Sequence, residues 1–265
     1  MSTEIRWPEP YVVDALRAVG EASPLVFGLT NYITAGLNAN MVLAVGGSPA
    51  IGGNPAAVEP LATAASGVWI NLAAMVTDSP ELLLRTARTA HAAGTRWVLD
   101  PVTVGGGIQV SDDLAAQLLA ESPPTAIRGN ASEVIALAGG GATSKGVDAT
   151  ATPEAAVPYA EKLAQRTGSV VAISGPTDYV TDGREVISVP GGHPWLTKVT
   201  GAGCSLGALV AACLAPGTDP LRATVAAHAV LAVAAERAAE QARGTGTFAA
   251  FVLDELTILA EGLST

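Results

Sequence analysis

Gly67-Val-Trp-Ile-Asn-Leu72, then Pro80 to Ala93, then Trp97-Val-Leu99 followed by Asp100, is the stretch that decides the fold. Val68-Trp69-Ile70 is apolar on both faces, and only a sheet covered on both sides can bury such a strand. Between the two apolar runs lies a segment with helical spacing of apolar residues. Strand, helix, strand in this order predicts a parallel βαβ unit.

The same reading extends outward. Further strands are expected at Leu25 to Leu29, Thr125 to Arg128 and Ser169 to Ile173, where Val170-Val-Ala-Ile173 repeats the two-faced apolar run. Helices are expected at Val12 to Val19, Ala35 to Val45, Pro55 to Ala64, Ser111 to Ala120, Ser132 to Ala138, Thr152 to Thr167, Cys204 to Leu214, Pro220 to Gly244 and Thr247 to Glu261. Asp178 to Thr181 and Glu185 to Val189 flank Asp182-Gly183, a hairpin turn signal, so an antiparallel hairpin should edge a mostly parallel sheet. The chain has no linker longer than a loop, no composition shift and no internal repeat. One doubly wound α/β domain over residues 1–265, with helices on both sheet faces, is the expectation.

At 265 residues the chain can bury about three-quarters of the surface it exposes when unfolded, so it needs no disulfide or metal staple. Hydrophobic residues make up 49% and charged residues 14%, which argues against disorder and leaves little charge to coat a monomer. Acidic residues outnumber basic ones by 24 to 14, a net charge of −10 that disfavours nucleic acid and anionic lipid as partners. Cys204 and Cys213 fit neither a zinc pattern nor a disulfide framework, so a reducing, cytoplasmic setting is expected. No basic segment followed by an apolar run opens the chain, and Ala223 to Ala235 is too short to span a bilayer.

In open α/β sheets, ligands bind beyond the carboxyl ends of the strands. The residues there are Thr30-Asn31-Tyr32, Asn71, Asp100-Pro101-Val102, Gly129-Asn130 and Ser174-Gly175 with Asp178. The densest signal is Thr197-Lys-Val-Thr-Gly-Ala-Gly-Cys204, running into a helix. Gly201, Ala202 and Gly203 would form an anion hole there, with free amides and the positive end of the helix dipole facing a ligand. The spacing of Gly201, Gly203 and Gly207 makes a loose dinucleotide fingerprint, but it lies late in the chain and follows no strand. Lys145 is followed by Gly146, so a Walker A loop is absent.

Cys204, in the first turn of that helix, reads either as a buried small hydrophobe or as a thiol acidified by the helix start. A cysteine hydrolase would need a histidine beside it. His193 is the candidate, whereas His91 and His228 lie within helices. Asp100, closing a strand, suits a hydrated Mg²⁺. Glu133 is a second acidic candidate, although Asn130 and Glu133 also match a reciprocal helix cap. Arg128, a scarce cation at the ligand rim, is a candidate for phosphate contact.

These stretches together resemble the hydroxyethylthiazole kinase family, thiamine-salvage enzymes of the ribokinase-like superfamily. The resemblance rests on Thr30-Asn-Tyr32, Gly46-Gly-Ser-Pro-Ala50, Val98-Leu-Asp-Pro-Val102, Ile127-Arg-Gly-Asn-Ala-Ser-Glu133, Lys145-Gly-Val-Asp148, Ser174-Gly175 with Asp178-Tyr-Val-Thr-Asp-Gly183, and Gly192-His-Pro194 through Cys204. It implies a ribokinase-like fold and phosphorylation of 4-methyl-5-(2-hydroxyethyl)thiazole by ATP with Mg²⁺. By the same resemblance Arg128 and Ser174 contact ATP, Asp100 and Glu133 organise Mg²⁺, and Ile51, Gly201 and Asn31 border the thiazole. Cys204, where the wider superfamily usually has Asp, would face the substrate hydroxyl as the catalytic residue. The family implies a homotrimer with shared active sites. Two positions depart from its pattern: Ile51 replaces a substrate-bordering Met, and Gly28 stands where His is common. A kinase for another small alcohol, pyrimidine or sugar, and a non-catalytic binding module are the alternatives.

Overall fold

The computed structural model describes residues 2–140, 151–214 and 218–263. The Lys145-Gly-Val-Asp148 motif lies outside the described residues. Nine strands among these residues form one sheet: β1 (Thr3–Glu4), β2 (Leu25–Leu29), β3 (Ser48–Ile51), β4 (Gly67–Asn71), β5 (Arg96–Asp100), β6 (Ala126–Asn130), β7 (Val170–Ser174), β8 (Thr177–Thr181) and β9 (Val186–Pro190). Their order is β1-β9-β8-β7-β6-β5-β4-β2-β3. Every pairing is parallel except those of β8, which runs antiparallel to β7 and β9. The expected hairpin is therefore present, with only the two-residue β1 beyond it.

Helices α1 (Pro10–Ala22), α2 (Ala35–Ala44), α8 (Ala202–Cys213), α9 (Pro220–Gln241) and α10 (Thr245–Glu261) cover one face. Helices α3 (Val58–Ala64), α4 (Pro80–Ala93), α5 (Gln109–Glu121), α6 (Ala131–Leu137) and α7 (Pro153–Thr167) cover the other. The period-two alternation of strand side chains divides the core between these layers. Val26, Trp69, Val98, Ala126 and Ala172 pack into the first layer. Phe27, Val68, Ile70, Leu99, Ile127 and Ile173 pack into the second.

Local signals account for the sharpest boundaries. Helix α4 spans the predicted residues because the Ser79 hydroxyl caps the Leu82 amide, Pro80 occupies the first turn and Gly94 ends the helix in the left-handed region. Two strands lie outside the expected set, β1 and β3. Strand β3 contains Pro49 and is only half-buried, and a proline in a strand is tolerated at a sheet edge. Helix α3 begins at Val58 rather than Pro55, and α9 ends at Gln241 rather than Gly244. No helix among the described residues is long and apolar enough to cross a membrane.

Gly28 sits opposite Trp69 in the β2–β4 register, and the indole lies across the space where a side chain at 28 would stand. Trp69 is fully buried, so it has no route out. A Gly28→Ala substitution should therefore cost about 3 kcal/mol by overpacking. Urea denaturation of Gly28→Ala, Trp69→Leu and the double variant checks this. The double variant should lose less than the sum of the singles, and simple additivity would contradict the packing account.

Candidate active site

Four parallel strands end on polar residues in two level pairs: Asn71 lies beside Asp100, and Asn130 beside Ser174, the second pair extending two residues further because Leu99 pairs with Ile127. The buried Asp100 carboxylate is the centre of the group. Its Oδ2 accepts from Asn71 Nδ2 at 2.9 Å and lies 3.5 Å from Arg128 Nη1. Asn71 Oδ1 in turn accepts from the Ala73 amide, which fixes the orientation of the side chain. Asp100 Oδ1 is buried with no hydrogen-bond partner. Burial pushes the Asp100 carboxyl up to about 7, with Arg128 opposing and Glu133 adding to the rise.

Arg128 spans the gap between strands. Its Nε and Nη2 donate to Ser174 Oγ at 3.1 and 2.9 Å, while Nη1 faces Asp100. Accepting twice leaves the Ser174 hydroxyl hydrogen free to donate elsewhere. Glu133 completes the predicted capping box: Asn130 N donates to Glu133 Oε2 and Glu133 N to Asn130 Oδ1, both at 2.9 Å. Burial raises its carboxyl, and backbone hydrogen bonds from Asn130 and Thr103 oppose this. Asp100 and Glu133 are close enough to interact electrostatically, and no group of three or more metal-ligating side chains exists among the described residues.

A 3₁₀ turn (Pro194–Lys198) leads to Gly201, which caps α8 at φ 90°. A Cβ there would also lie 2.9 Å from Thr34, so glycine is required twice over. Beneath it runs a buried polar chain. Ser205 Oγ lies 2.6 Å from Asn38 Oδ1 and 2.8 Å from the Gly201 carbonyl, while Asn38 Nδ2 donates to Thr30 Oγ1 at 3.2 Å and to Thr34 Oγ1 at 3.4 Å. Of the residues expected to form the anion hole, Ala202 donates its amide back to the Val199 carbonyl at 3.2 Å. The Gly203 and Cys204 amides belong to the open first turn. A Cβ on Gly203 would lie 3.4 Å from Arg128 Nη1, so the guanidinium and the helix start converge.

Cys204 faces this cluster, and its thiol is pushed up, first by burial and then by the Asp100 charge. The reading of a thiol acidified by the helix N-terminus is thus corrected, because burial and the neighbouring Asp100 carboxylate raise it. Its hydrogen-bonding neighbours are Asn71 and Thr34. His193 accepts from the Trp195 amide and packs on Trp195 and Phe248, and His228 binds Asp178. Neither contact places a histidine on the Cys204 thiol, so the cysteine-hydrolase reading gains no support.

A cleft of about 670 Å³ opens beside Arg128, Ser174, Asp178, His193, Gly203 and His228. A larger one, about 910 Å³, lies between α5 and α6 and includes none of the cluster residues. Asn31 is buried in the β2–α2 turn, where its Oδ1 accepts from the Thr34 amide at 3.0 Å. Ile51 ends β3, half-buried and opposite Gly28. Both stand on the β2–β3 side, apart from Arg128 and Ser174. Sequence reading missed Asn38, Ser205 and His228; the available signal was a polar residue on an otherwise apolar helix.

Asp100 has a stability signature. Its folded pKa lies above its ordinary value, so the unfolded chain releases this proton at lower pH, and stability is lost as pH rises towards 7. Asp100→Asn should therefore raise the melting temperature of the metal-free protein little near roughly pH 4 and progressively more up to roughly pH 8. Thermal melts across that range check this, and a pH-independent difference would contradict it.

The sequence profile described as the hydroxyethylthiazole kinase family matches residues 16–262. A hydroxyethylthiazole kinase of Burkholderia pseudomallei (strain K96243) is 54% identical over 255 residues, covering 96% of this chain and 92% of that protein. One from Leptospira interrogans serogroup Icterohaemorrhagiae serovar Lai is 44% identical over 254 residues, covering 96% and 95%. The solved hydroxyethylthiazole kinase structure from Pyrococcus horikoshii OT3 superposes with a TM-score of 0.86 at 32% identity, covering 96% of each chain. A ribokinase-like superfamily protein from Enterococcus faecalis V583 shares the fold at a TM-score of 0.68, with 9% identity and coverage of 99% and 95%. The strand-end carboxylate, the tethered arginine and the glycine-capped helix thus sit in a chain that belongs to the hydroxyethylthiazole kinase family.

Proposed function

We propose that this protein transfers the γ-phosphoryl group of ATP to the hydroxyl of 4-methyl-5-(2-hydroxyethyl)thiazole, in thiamine salvage and in the cytoplasm. The observation that carries the reading is the Arg128 guanidinium, tied to Ser174 and aimed at both Asp100 and the first turn of α8. Phosphoryl transfer passes through a loose transition state, so positioning and charge stabilisation provide most of the rate. Arg128 and the Gly203 and Cys204 amides would meet the charge on the moving group, and Ser174 would keep Arg128 in place.

Mg²⁺ fits the residues present. Asp100 Oδ1 is a buried oxygen with no partner, and two carboxylates suit an ion that brings phosphate oxygens and waters as its other ligands. Asp100 and Glu133 would hold it, and its charge would neutralise the transferring phosphates. Gly201, Asn31 and Ile51 would border the thiazole, with Cys204 facing its hydroxyl. A neutral thiol serves there because little proton abstraction precedes bond formation in a loose transition state.

A homotrimer with its sites between subunits is also part of the proposal. Tyr32 and Ile33, next to Asn31, are 67% and 64% exposed, and such adjacent apolar side chains are buried favourably against another subunit.

ADP release with Mg-ATP tests the reaction. Turnover is expected with hydroxyethylthiazole and not with hydroxymethylpyrimidine or ribose, and silence with the thiazole would overturn the assignment. Cys204→Asp should retain or improve turnover. Cys204→Ala should lose less than the roughly hundredfold cost of removing an essential general base. Loss of all activity in a folded Cys204→Asp would refute this role. Sedimentation should give three times the chain mass, and a monomer would refute the shared site.

A further inference from the structure

Ala223 to Ala235, the most apolar stretch of α9, contains one residue out of keeping with its neighbours. His228 is 1% exposed among alanines, valines and leucines, a position that an aliphatic side chain would fill without the desolvation cost of an imidazole. Its Nδ1 lies 2.6 Å from Asp178 Oδ2, while its Nε2 is buried with no partner. A carboxylate partner places the proton on Nδ1. The other Asp178 oxygen accepts from the Gly175 amide at 2.8 Å.

Gly175 directly follows Ser174, the residue that receives both inner hydrogen bonds of Arg128. A continuous polar line therefore runs from His228 through Asp178 and the Gly175 amide to Ser174, Arg128 and Asp100. Gly175 is also held from the far side, because a Cβ there would fall on the Pro153 ring. Two turns along α9 the pattern recurs: Glu236 Oε1 accepts from the Gly192 amide at 3.1 Å. Ala232, midway between them, keeps the helix face low where the cleft runs. Positions four and eight residues apart share one helix face, so α9 ties down both walls of the cleft.

We infer that His228 is a positioning residue for the nucleotide: through Asp178 it holds the β7–β8 turn, and with it Ser174 and Arg128, in the geometry that binds Mg-ATP. It rests on the reading that this cleft takes ATP. On that reading His228 stands apart from the residues assigned to the acceptor, and its one polar partner among the described residues is Asp178, so its removal weakens nucleotide binding and leaves the thiazole KM in place.

The test compares His228→Leu, which removes the donor, with His228→Asn, whose amide can replace Nδ1. Mg-ATP affinity is read by calorimetry without acceptor, and KM is measured for each substrate. His228→Leu should weaken Mg-ATP binding and raise its KM about tenfold or more, the loss of one charge-assisted hydrogen bond, with the thiazole KM within about twofold. His228→Asn should recover most of that loss. Unchanged Mg-ATP affinity in folded His228→Leu, a parallel rise in both KM values, or no recovery in His228→Asn would each overturn the inference. Should His228→Leu fail to fold, Asp178→Asn on the part-exposed partner should show the same selective loss, and wild-type affinity there would overturn it. Wild-type protein that binds Mg-ATP without phosphorylating the thiazole would refute the proposed acceptor, while the calorimetric comparison still decides the role of His228. Wild-type protein that binds no Mg-ATP would refute both.

Discussion

A carboxylate withdrawn from water at the end of a central strand is costly, and the cost of keeping Asp100 there organises the cluster around it. Asn71 and Arg128 share one of its oxygens, and the Ala73 amide and the Ser174 hydroxyl keep those two partners from turning away. The second oxygen stays bare. A fold selected only for stability would place an amide or an aliphatic residue at this point. The retained charge is instead a standing attraction for a cation, held in a low-dielectric setting where that attraction is strong.

The other half of the site solves the opposite problem. An anion must be brought into a protein of net charge −10, and the positive potential for it is assembled locally from Arg128 and the open turn of α8. Gly201 allows that turn, and the Thr30, Thr34, Asn38 and Ser205 chain below satisfies the polar groups that its burial would otherwise strand. Cys204 lies between the two halves. Its neutrality follows first from burial and then from proximity to Asp100, so the acceptor side of the site carries no second negative charge to oppose the incoming phosphates.

Much of this was legible in the chain. Apolar runs followed by Asn71, Asp100, Asn130 and Ser174 place the strand ends to within two residues, and parallel pairing then brings those ends together. The Asn130–Glu133 cap is a local motif and forms as read. What could not be read depends on partners distant in sequence. Strand β3 hides because Pro49 and partial burial disguise it. The thiol of Cys204 responds to burial and to a carboxylate 104 positions earlier, neither visible from its own helix. His228 reads as a helical residue until the fold brings Asp178 to it.

The sheet order has a consequence for how the molecule folds. Asn71, Asp100, Arg128, Ser174, Cys204 and His228 come from segments scattered over most of the chain, and the strands from β2 to β7 are joined through helices, with tight turns only between β7, β8 and β9. No short fragment contains the site. Its binding energy therefore belongs to the whole cooperative unit: a ligand held there stabilises the entire fold by mass action, remote helices included. Reliance on non-local pairing also makes assembly slow compared with a helical bundle of similar size. Occupancy of the site would thus report on the integrity of the whole cooperative unit rather than of any one segment.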